Sequence, residues 1–236
     1  MKPKVYLIPT VLHEDETAMT ALPAYIKNAV ADCQVFFTEN ERTARRFLKK
    51  LWKEIVIDDY AWYAIHKAEA TVVQSFLQHL EEGKNIGILS EAGCPCVADP
   101  GSLLVAAAQE KGVKVIPLVG PNSILLALMA SGMNGQCFQF VGYLPVEAAA
   151  RKKALKELED YSMKKNCTQV FIETPYRNNQ LLQDIISVCR GETRLCIAVG
   201  ITAASESIVT KKLVQWKQSI PDLHKRPCIF LLAATP

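Results

Sequence analysis

Residues 86–101, which decide the fold, read Ile-Gly-Ile-Leu-Ser-Glu-Ala-Gly-Cys-Pro-Cys-Val-Ala-Asp-Pro-Gly. The apolar run Ile86–Leu89 has the length and composition of a buried strand. A loop of small residues follows, which carries the carboxylates Glu91 and Asp99, and a helical pattern begins at Ser102. In an open α/β sheet, the loop that leaves the carboxyl end of a strand is where ligands bind. The stretch therefore predicts an α/β sheet with a ligand-binding loop directly after this strand.

The rest of the first half alternates between strands and helices. Short apolar runs predict the strands, and apolar residues three and four apart predict the helices. The predicted strands are Lys4–Ile8, Gln34–Phe37, Ile55–Ile57, Ile86–Leu89 and Val113–Leu118, and the predicted helices are Met19–Val30, Glu41–Leu51, Ala68–Glu82 and one that starts at Ser102. Strands that alternate with helices form a parallel sheet with right-handed crossovers. We therefore expect a mostly parallel, Rossmann-like N-terminal domain over residues 1–119.

The alternation is interrupted at Gly120-Pro121-Asn122-Ser123, and we place the domain junction there. Beyond it the predicted helices are Ile124–Ala130, Glu147–Tyr161 and Asn178–Cys189, and the predicted strands are Phe138–Val141, Gln169–Ile172, Arg194–Val199, Ser207–Thr210 and Cys228–Ala233. The short connections between the late strands favour antiparallel neighbours. The sequence thus predicts two α/β domains, of which the second, residues 120–236, has a mixed sheet.

Composition and charge exclude several classes of protein. The chain has 236 residues, 50% of them hydrophobic and 22% charged, with a net charge of +3, which permits an anionic partner. No apolar run reaches the roughly 18 to 20 residues of a membrane span, and the N-terminus lacks a secretory pattern, so we expect a cytoplasmic protein without a membrane partner. The eight scattered cysteines predict reduced thiols, and no Cys/His spacing predicts a metal site.

Two motifs in the chain are similar to those of a known family. Ser90-Glu91-Ala92-Gly93-x-Pro95-x-x-x-Asp99-Pro100-Gly101 and Pro117-Leu-Val-Gly120-Pro121-Asn-Ser123 resemble the signature loops of the tetrapyrrole methylase superfamily of S-adenosylmethionine-dependent methyltransferases. The most similar branch is that of the bacterial 2′-O-methyltransferases of a cytidine in small-subunit ribosomal RNA. Further similarity lies at Phe140–Pro145 and Ile172–Arg177.

The resemblance implies two α/β domains with S-adenosylmethionine bound in the cleft that the second domain completes. It also implies a homodimer, and it implies 2′-O-methylation of ribose in small-subunit ribosomal RNA. The implied cofactor-binding residues are Ser90, Glu91, Ala92, Gly93, Val97, Asp99, Pro100, Gly101, Val119, Gly120, Pro121 and Ser123. For Asp99 a second role stays open, because its spacing also suits a cap for the helix that starts near Ser102.

Other functions stay open beside this one. The chain departs from the branch at residues 9–15 and 66–69, so it can also be a non-catalytic module that binds S-adenosylmethionine, or a methyltransferase of a small molecule such as a tetrapyrrole. A nicotinamide-dependent enzyme is disfavoured, because no Gly-x-Gly-x-x-Gly follows the first strand.

Candidate residues for catalysis and substrate binding lie outside the two motifs. Glu173 ends a buried strand and is a candidate to orient or deprotonate an acceptor hydroxyl, or else to form an ion pair with Arg177 that stiffens the turn. His66 is a weaker acid/base candidate. The predicted helix Glu41–Leu51 is rich in cations, which predicts either a phosphate-contacting surface or a solvated face. The cations of this surface are Arg42, Arg45, Arg46, Lys49, Lys50 and Lys53. The substrate or RNA contacts predicted from it are Arg42, Arg45 and Arg46, and Arg177 is a further one outside the helix.

Overall fold

The computed structural model describes residues 2–15, 17–65 and 69–234, without the side chains of Glu69 and Ala70. The chain divides into two compact units, Met1–Asn122 and Ser123–Pro236. Within the described residues, each unit has a five-stranded sheet of its own with helices around it. This confirms the predicted fold class of two α/β domains.

The first unit is built on a parallel sheet. Its strands are β1 (Lys4–Ile8), β2 (Val35–Thr38), β3 (Ala61–Ala64), β4 (Ile86–Leu89) and β5 (Lys114–Pro117), and its helices are α1 (Ile26–Ala31), α2 (Glu41–Leu51), α3 (Glu69–Glu81) and α4 (Ser102–Glu110). The strand order is β3-β2-β4-β1-β5, and every neighbouring pair is parallel. The prediction of a parallel N-terminal sheet is therefore confirmed.

Successive strand residues enter opposite cores, because side chains alternate across a strand. Phe36 packs on one face with residues of α1 and α2, whereas Phe37 packs on the other face with residues of α3 and α4. The helices that follow β1 and β4 thus lie on opposite faces, although the two strands are neighbours. Such a switch point opens a crevice at the carboxyl ends of the two strands, which is where open α/β sheets bind ligands.

Two of the predicted elements in this unit are wrong. The predicted strand at Ile55–Ile57 is not one, since Ile57–Asp59 forms a 3₁₀ turn and the strand lies at Ala61–Ala64. Ile55 is buried because it fills the core, without belonging to a strand. The predicted helix Met19–Val30 is divided into a 3₁₀ turn, Ala18–Ala21, and α1, because Pro23 lies between them and cannot donate a backbone hydrogen bond.

The second unit has the predicted mixed sheet. Its strands are β6 (Phe138–Tyr143), β7 (Thr168–Ile172), β8 (Arg194–Val199), β9 (Ser207–Lys212) and β10 (Cys228–Ala233), and its helices are α5 (Ser123–Ser131), α6 (Ala148–Lys165), α7 (Asn178–Val188) and α8 (Leu213–Trp216). The strand order is β6-β7-β10-β8-β9, in which β6 and β7 are parallel and the other pairs antiparallel. A single core around Phe171 and Phe230 joins the sheet to α6, α7 and α8.

The described part of the chain contains no helix that is long and apolar enough to span a membrane. Its cysteines are free thiols, and five of them are buried in the two units, in positions where a small apolar side chain packs: Cys33, Cys167, Cys189, Cys196 and Cys228.

Candidate functional site

The loop at residues 90–101 leaves β4 and is fastened to the end of β1. The backbone N–H of Thr10 donates a hydrogen bond to the carbonyl of Gly93 over 2.8 Å, and the Thr10 hydroxyl donates to the carbonyl of Ser90. Thr10 and Ser90 are both buried. The predicted ligand loop is therefore held at the crevice between β1 and β4.

The two motif loops of the first unit lie against each other. The thiol of Cys94 lies 3.7 Å from the carbonyl oxygen of Gly120 and 3.5 Å from that of Pro121. At Gly93, where φ is +78°, an added Cβ would lie 3.2 Å from the Pro121 carbonyl oxygen. At Gly120, an added Cβ would collide with the Pro9 ring at 2.1 Å. Glycine is needed at both positions because the loops approach each other and β1 so closely.

The loop backbone is unusual after this contact. Cys96 and Ala98 have φ values of 67° and 62°, which side chains other than glycine seldom adopt. Gly101, with φ 116°, stands at the N-cap position of α4 and provides no side-chain cap. Strained backbone of this kind is concentrated at ligand-binding sites.

The alternative role of Asp99 as the cap of α4 is not what the structure shows, because the N-cap residue is Gly101 and the helix has no side-chain cap.

Asp99 instead belongs to a group of carboxylates. Burial, together with the negative charges of Glu39 and Glu91, raises the pKa of Asp99 to about 6, although a hydrogen bond with Ser90 opposes the shift. The Glu91 backbone N–H donates to a Glu39 carboxylate oxygen over 3.2 Å, and the Thr43 hydroxyl donates to Glu91 Oε1 over 3.2 Å. Asp99 therefore carries a negative charge at neutral pH without a cationic side chain among the causes of its shift.

The other residues predicted to bind the cofactor differ in exposure. Val97 and Val119 are exposed apolar side chains on the two loops, 44% and 68% accessible. The backbone N–H of Val119 donates a hydrogen bond to the hydroxyl oxygen of Tyr25 over 2.8 Å. Ala92 is exposed, Pro100 is half-buried, and Gly101 and Pro121 are buried. Ser123 is the first residue of α5 and thus of the second unit.

The cationic helix α2 borders the same crevice. A cavity of about 150 Å³ is lined by residues 10–14, which follow β1 and are called the β1 loop below, and by α2. Glu91 and Ala92, at the start of the loop at residues 90–101, complete its lining. Arg46 and Lys50 line it from α2, and His13 lines it from the β1 loop. Arg42, which is also exposed, lies one turn nearer to the start of this helix. Arg45 is placed differently, because its guanidinium lies 5.1 Å above the Trp62 ring and pairs with Glu41.

Glu173 and Arg177 lie in the second unit, just beyond β7. Glu173 Oε1 accepts hydrogen bonds from the Thr174 N–H over 2.7 Å and from Arg177 Nη2 over 2.6 Å. The Glu173 side chain is 1% exposed and that of Arg177 is 36% exposed. The structure therefore contains the ion pair that was one of the two predicted roles. A buried carboxylate held in this way is poorly placed to reach an acceptor hydroxyl.

Several residues at the crevice were not predicted from the sequence. Thr10 fixes the loop at residues 90–101, Glu39 and Thr43 bind Glu91, and His13 lines the cavity. Their common signal is position, since each lies shortly after the carboxyl end of a parallel strand or on the helix that follows it. His66 lies outside the described residues. Among the residues that the structure describes, no group of three or more His, Cys, Asp or Glu side chains is placed to hold a metal ion.

The family model described as Tetrapyrrole (Corrin/Porphyrin) Methylases matches residues 21–215, which is most of the chain. The chain belongs to the tetrapyrrole methylase family. Members of this family are methyltransferases that use S-adenosylmethionine, and the resemblance inferred from the two motifs is thereby confirmed.

Relatives and solved structures agree with this membership. A Vibrio cholerae protein named Ribosomal RNA small subunit methyltransferase I is 37% identical over 147 residues, which are 62% of this chain and 50% of the relative. The chain spans about half the length of the curated relatives it matches.

Solved structures match the fold over almost the whole chain. The crystal structure of the methyltransferase CobJ has a TM-score of 0.63 at 16% identity, over 99% of this chain and 98% of that one. Uroporphyrin-III C-methyl transferase from Thermus thermophilus complexed with S-adenyl homocysteine has a TM-score of 0.57 at 14% identity, over 98% and 97% of the two chains. At these identities the likeness concerns the fold.

Proposed function

We propose that this chain binds S-adenosylmethionine at the crevice of the first unit and transfers its methyl group to a ribose 2′-hydroxyl of small-subunit ribosomal RNA. The observation that carries the cofactor part is the contact between the two motif loops at the switch point, where Cys94 meets the carbonyls of Gly120 and Pro121. The RNA part is supported by the relatives named for small-subunit ribosomal RNA.

The residues at the crevice fit the cofactor. Asp99 and Glu91 are carboxylates that suit its ribose hydroxyls and its ammonium group, and the irregular loop at 93–101 supplies carbonyl dipoles that suit a sulfonium. The carboxylate of Asp99 has a raised pKa, so hydrogen-bond donors from a ligand would relieve its burial. Val97 and Val119 offer exposed apolar surface for an adenine ring. The cofactor supplies an electrophilic methyl group that already carries its leaving group.

The main task of the protein is therefore to position the acceptor hydroxyl in line with the bond between the sulfur and the methyl group. Alignment of an acceptor with a reactive bond can lower a barrier by up to ~7–11 kcal/mol in ideal cases. A fixed anion next to the sulfonium would stabilise the ground state more than the transition state, because the positive charge disappears during transfer. We therefore assign Asp99 and Glu91 to the ribose and amino-acid ends of the cofactor, where their charge does not oppose the reaction.

The direct test is mass spectrometry of small-subunit ribosomal RNA from cells with and without the gene for this chain. We expect one 2′-O-methylated nucleotide to be missing in the deletion strain and restored by the wild-type gene. A complete set of 2′-O-methyl groups in the deletion strain would contradict the proposed acceptor. Transfer to a tetrapyrrole in vitro would then support a small-molecule methyltransferase, and cofactor binding without release of S-adenosylhomocysteine would support a non-catalytic module. This function also implies a cytoplasmic location.

We further propose a homodimer. The second unit exposes apolar side chains on α5, where Leu125 is 47% and Met129 is 78% accessible. Its edge strand β6 exposes Phe138 and Tyr143 as well. Exposed apolar surface and an unpaired sheet edge are common where a protein meets a partner. Light scattering at micromolar concentration tests this, and a mass of 26.2 kDa, that of one chain, would rule out the dimer.

A further inference from the structure

The cations of α2 divide into two rows with different surroundings. Arg45 and Lys49, four residues apart, turn back onto the protein. Arg45 stacks on Trp62 and pairs with Glu41, and the Lys49 ammonium donates a hydrogen bond to the carbonyl of Ile55. These two side chains hold α2 against the segment that leads to β3, and their charges are engaged within the first unit.

Arg42, Arg46 and Lys50 form the second row, which we call the cationic stripe. They are also four residues apart, so that they lie along one face of the helix with a rise of about 6 Å between neighbours. All three are exposed. Within the described ranges the ion pair of the stripe is that of Arg46 with Glu14, 3.4 Å long between side chains that are 56% and 71% exposed. An ion pair so exposed contributes about 0–1 kcal/mol, so a competing anion can replace Glu14.

The cationic stripe leads into the cavity next to the motif loop. Arg46 and Lys50 line this cavity together with Thr43, whose hydroxyl reaches Glu91 at the start of that loop. His13 lines it from the other side, with its Nδ1 directed to Asp15 at 3.3 Å. The two carboxylates on the cavity wall, Glu14 and Glu91, are each already bound to a partner on α2. An anion that follows the stripe therefore arrives at the crevice.

We propose that the cationic stripe binds consecutive phosphates of a single-stranded segment of the RNA substrate and leads this strand to the crevice of the first unit. The inference rests on the proposed function and names the surface that it uses. A straight row of three cations with this rise follows one extended strand, in the way that a charged groove tracks a single-stranded backbone. Lipid is a poorer match, because the apolar residues of α2, Ala44, Phe47 and Leu48, are buried and leave no apolar face to insert into a membrane.

The test compares two sets of variants on the same helix. The stripe variant is Arg42→Gln, Arg46→Gln and Lys50→Gln, and the matched control is Arg45→Gln with Lys49→Gln. Binding of a short labelled oligouridylate is measured as a function of salt. If each cation neutralises one phosphate, the slope of log K against log salt becomes shallower by about 2 in the stripe variant, at ~0.7 per phosphate. Between 50 mM and 200 mM salt, the wild-type protein then loses about 16-fold more affinity than this variant.

The control keeps the wild-type salt slope and lowers the melting temperature, because it removes the contacts to Trp62 and Ile55. Glu14→Gln sharpens the test, since it frees Arg46 and should raise the RNA affinity. A stripe variant with the wild-type slope overturns the inference, and so does a control with an equal loss of slope. If the stripe variant loses binding to vesicles of anionic lipid but keeps its RNA binding, the inference is overturned and the stripe is assigned to a membrane surface.

Failure of the stripe and failure of the proposed function give different results. If wild-type protein restores the missing 2′-O-methyl group in cells but the stripe variant binds RNA normally, the inference on the stripe alone fails. If no methyl group is missing in the deletion strain, the proposed function fails. Calorimetry with S-adenosylmethionine should give the same affinity for the wild-type protein and the stripe variant, which shows that the fold and the cofactor loops are intact.

Discussion

Two carboxylates that follow buried strands were singled out in the sequence, and their surroundings differ. Asp99 lies in the loop after β4, where burial and the charges of two further carboxylates raise its pKa to about 6. Glu173 directly follows β7 and is even more buried, yet it binds the Arg177 guanidinium and the Thr174 N–H. Asp99 is partly buried without a cation among the causes of its pKa shift. Glu173 is paired with a cation of its own chain through Oε1, while its buried Oε2 has no hydrogen-bond partner among the described residues.

The difference indicates which carboxylate is available to a ligand. Removal of one partner of a buried ion pair leaves the other partner uncompensated, so the loss of the Glu173 charge should weaken the fold. Charge that the chain leaves uncompensated is a cost to the unliganded protein, which is typical of functional sites. We therefore expect Glu173 to act on stability and Asp99 to act on cofactor binding, and the two can be tested against each other.

The largest effect is expected for Glu173→Gln. The change removes a buried negative charge and weakens both of its hydrogen bonds, and it should lower the free energy of unfolding by about 2 kcal/mol, because the Arg177 left behind is 36% exposed and partly solvated. Urea denaturation measures this loss. The matched control is Glu192→Gln, since Glu192 pairs with Lys212 but is 75% exposed. That change should alter stability by less than about 0.5 kcal/mol.

Measurements of methyl transfer decide between the two roles of Glu173. If the variant keeps wild-type stability and loses methyl transfer, the catalytic prediction for Glu173 is correct and the structural one is wrong. If stability falls and the remaining folded protein transfers methyl groups at the wild-type rate, Glu173 is a structural residue.

Much of the fold could be predicted from the sequence because its strands are short apolar runs between amphipathic helices. Ile86–Leu89 and Cys228–Ala233 have the predicted bounds. The strand predicted at Ile55–Ile57 shows where an apolar pattern alone misleads. Burial of Ile55 by the core gives the same apolar pattern as a strand, and strand β3 is marked only by the aromatic residues Trp62 and Tyr63 at the edge of the sheet.

The candidate site was predictable as a pair of motifs but not as a set of contacts. Spacing alone cannot tell that Arg45 folds onto Trp62 while Arg46 faces the cavity, because both fit a cationic helix. It also cannot tell that Gly120 packs on Pro9, since the two residues are distant in sequence and meet only when β1 pairs with β5. Contacts of this kind depend on tertiary structure, which local pattern does not encode.

A smaller effect of opposite sign on stability is expected for Asp99→Asn. Because the folded protein holds Asp99 at a raised pKa, its charged form destabilises the fold at neutral pH, and the neutral amide should stabilise the unliganded protein by about 1 kcal/mol after allowance for solvent screening. The same change should weaken S-adenosylmethionine binding by about tenfold or more, because it removes a charged hydrogen-bond acceptor. Thermal unfolding and calorimetry measure the two effects. Asp58→Asn, on an exposed turn of the same unit, is the control and should change neither.

The smallest effect is a pH dependence that only the wild-type protein should show. The pKa of Asp99 is about 6 in the folded protein and about 4 in an unfolded chain, so the folded state binds more protons between these values. The stability of the unliganded protein relative to Asp99→Asn should therefore rise as the pH falls from 6 to 4, while affinity for S-adenosylmethionine falls as Asp99 loses its charge. Calorimetry from pH 8 to pH 5 follows the affinity. An equally steep loss of affinity in Asp99→Asn would show that another group titrates and that Asp99 does not bind the cofactor.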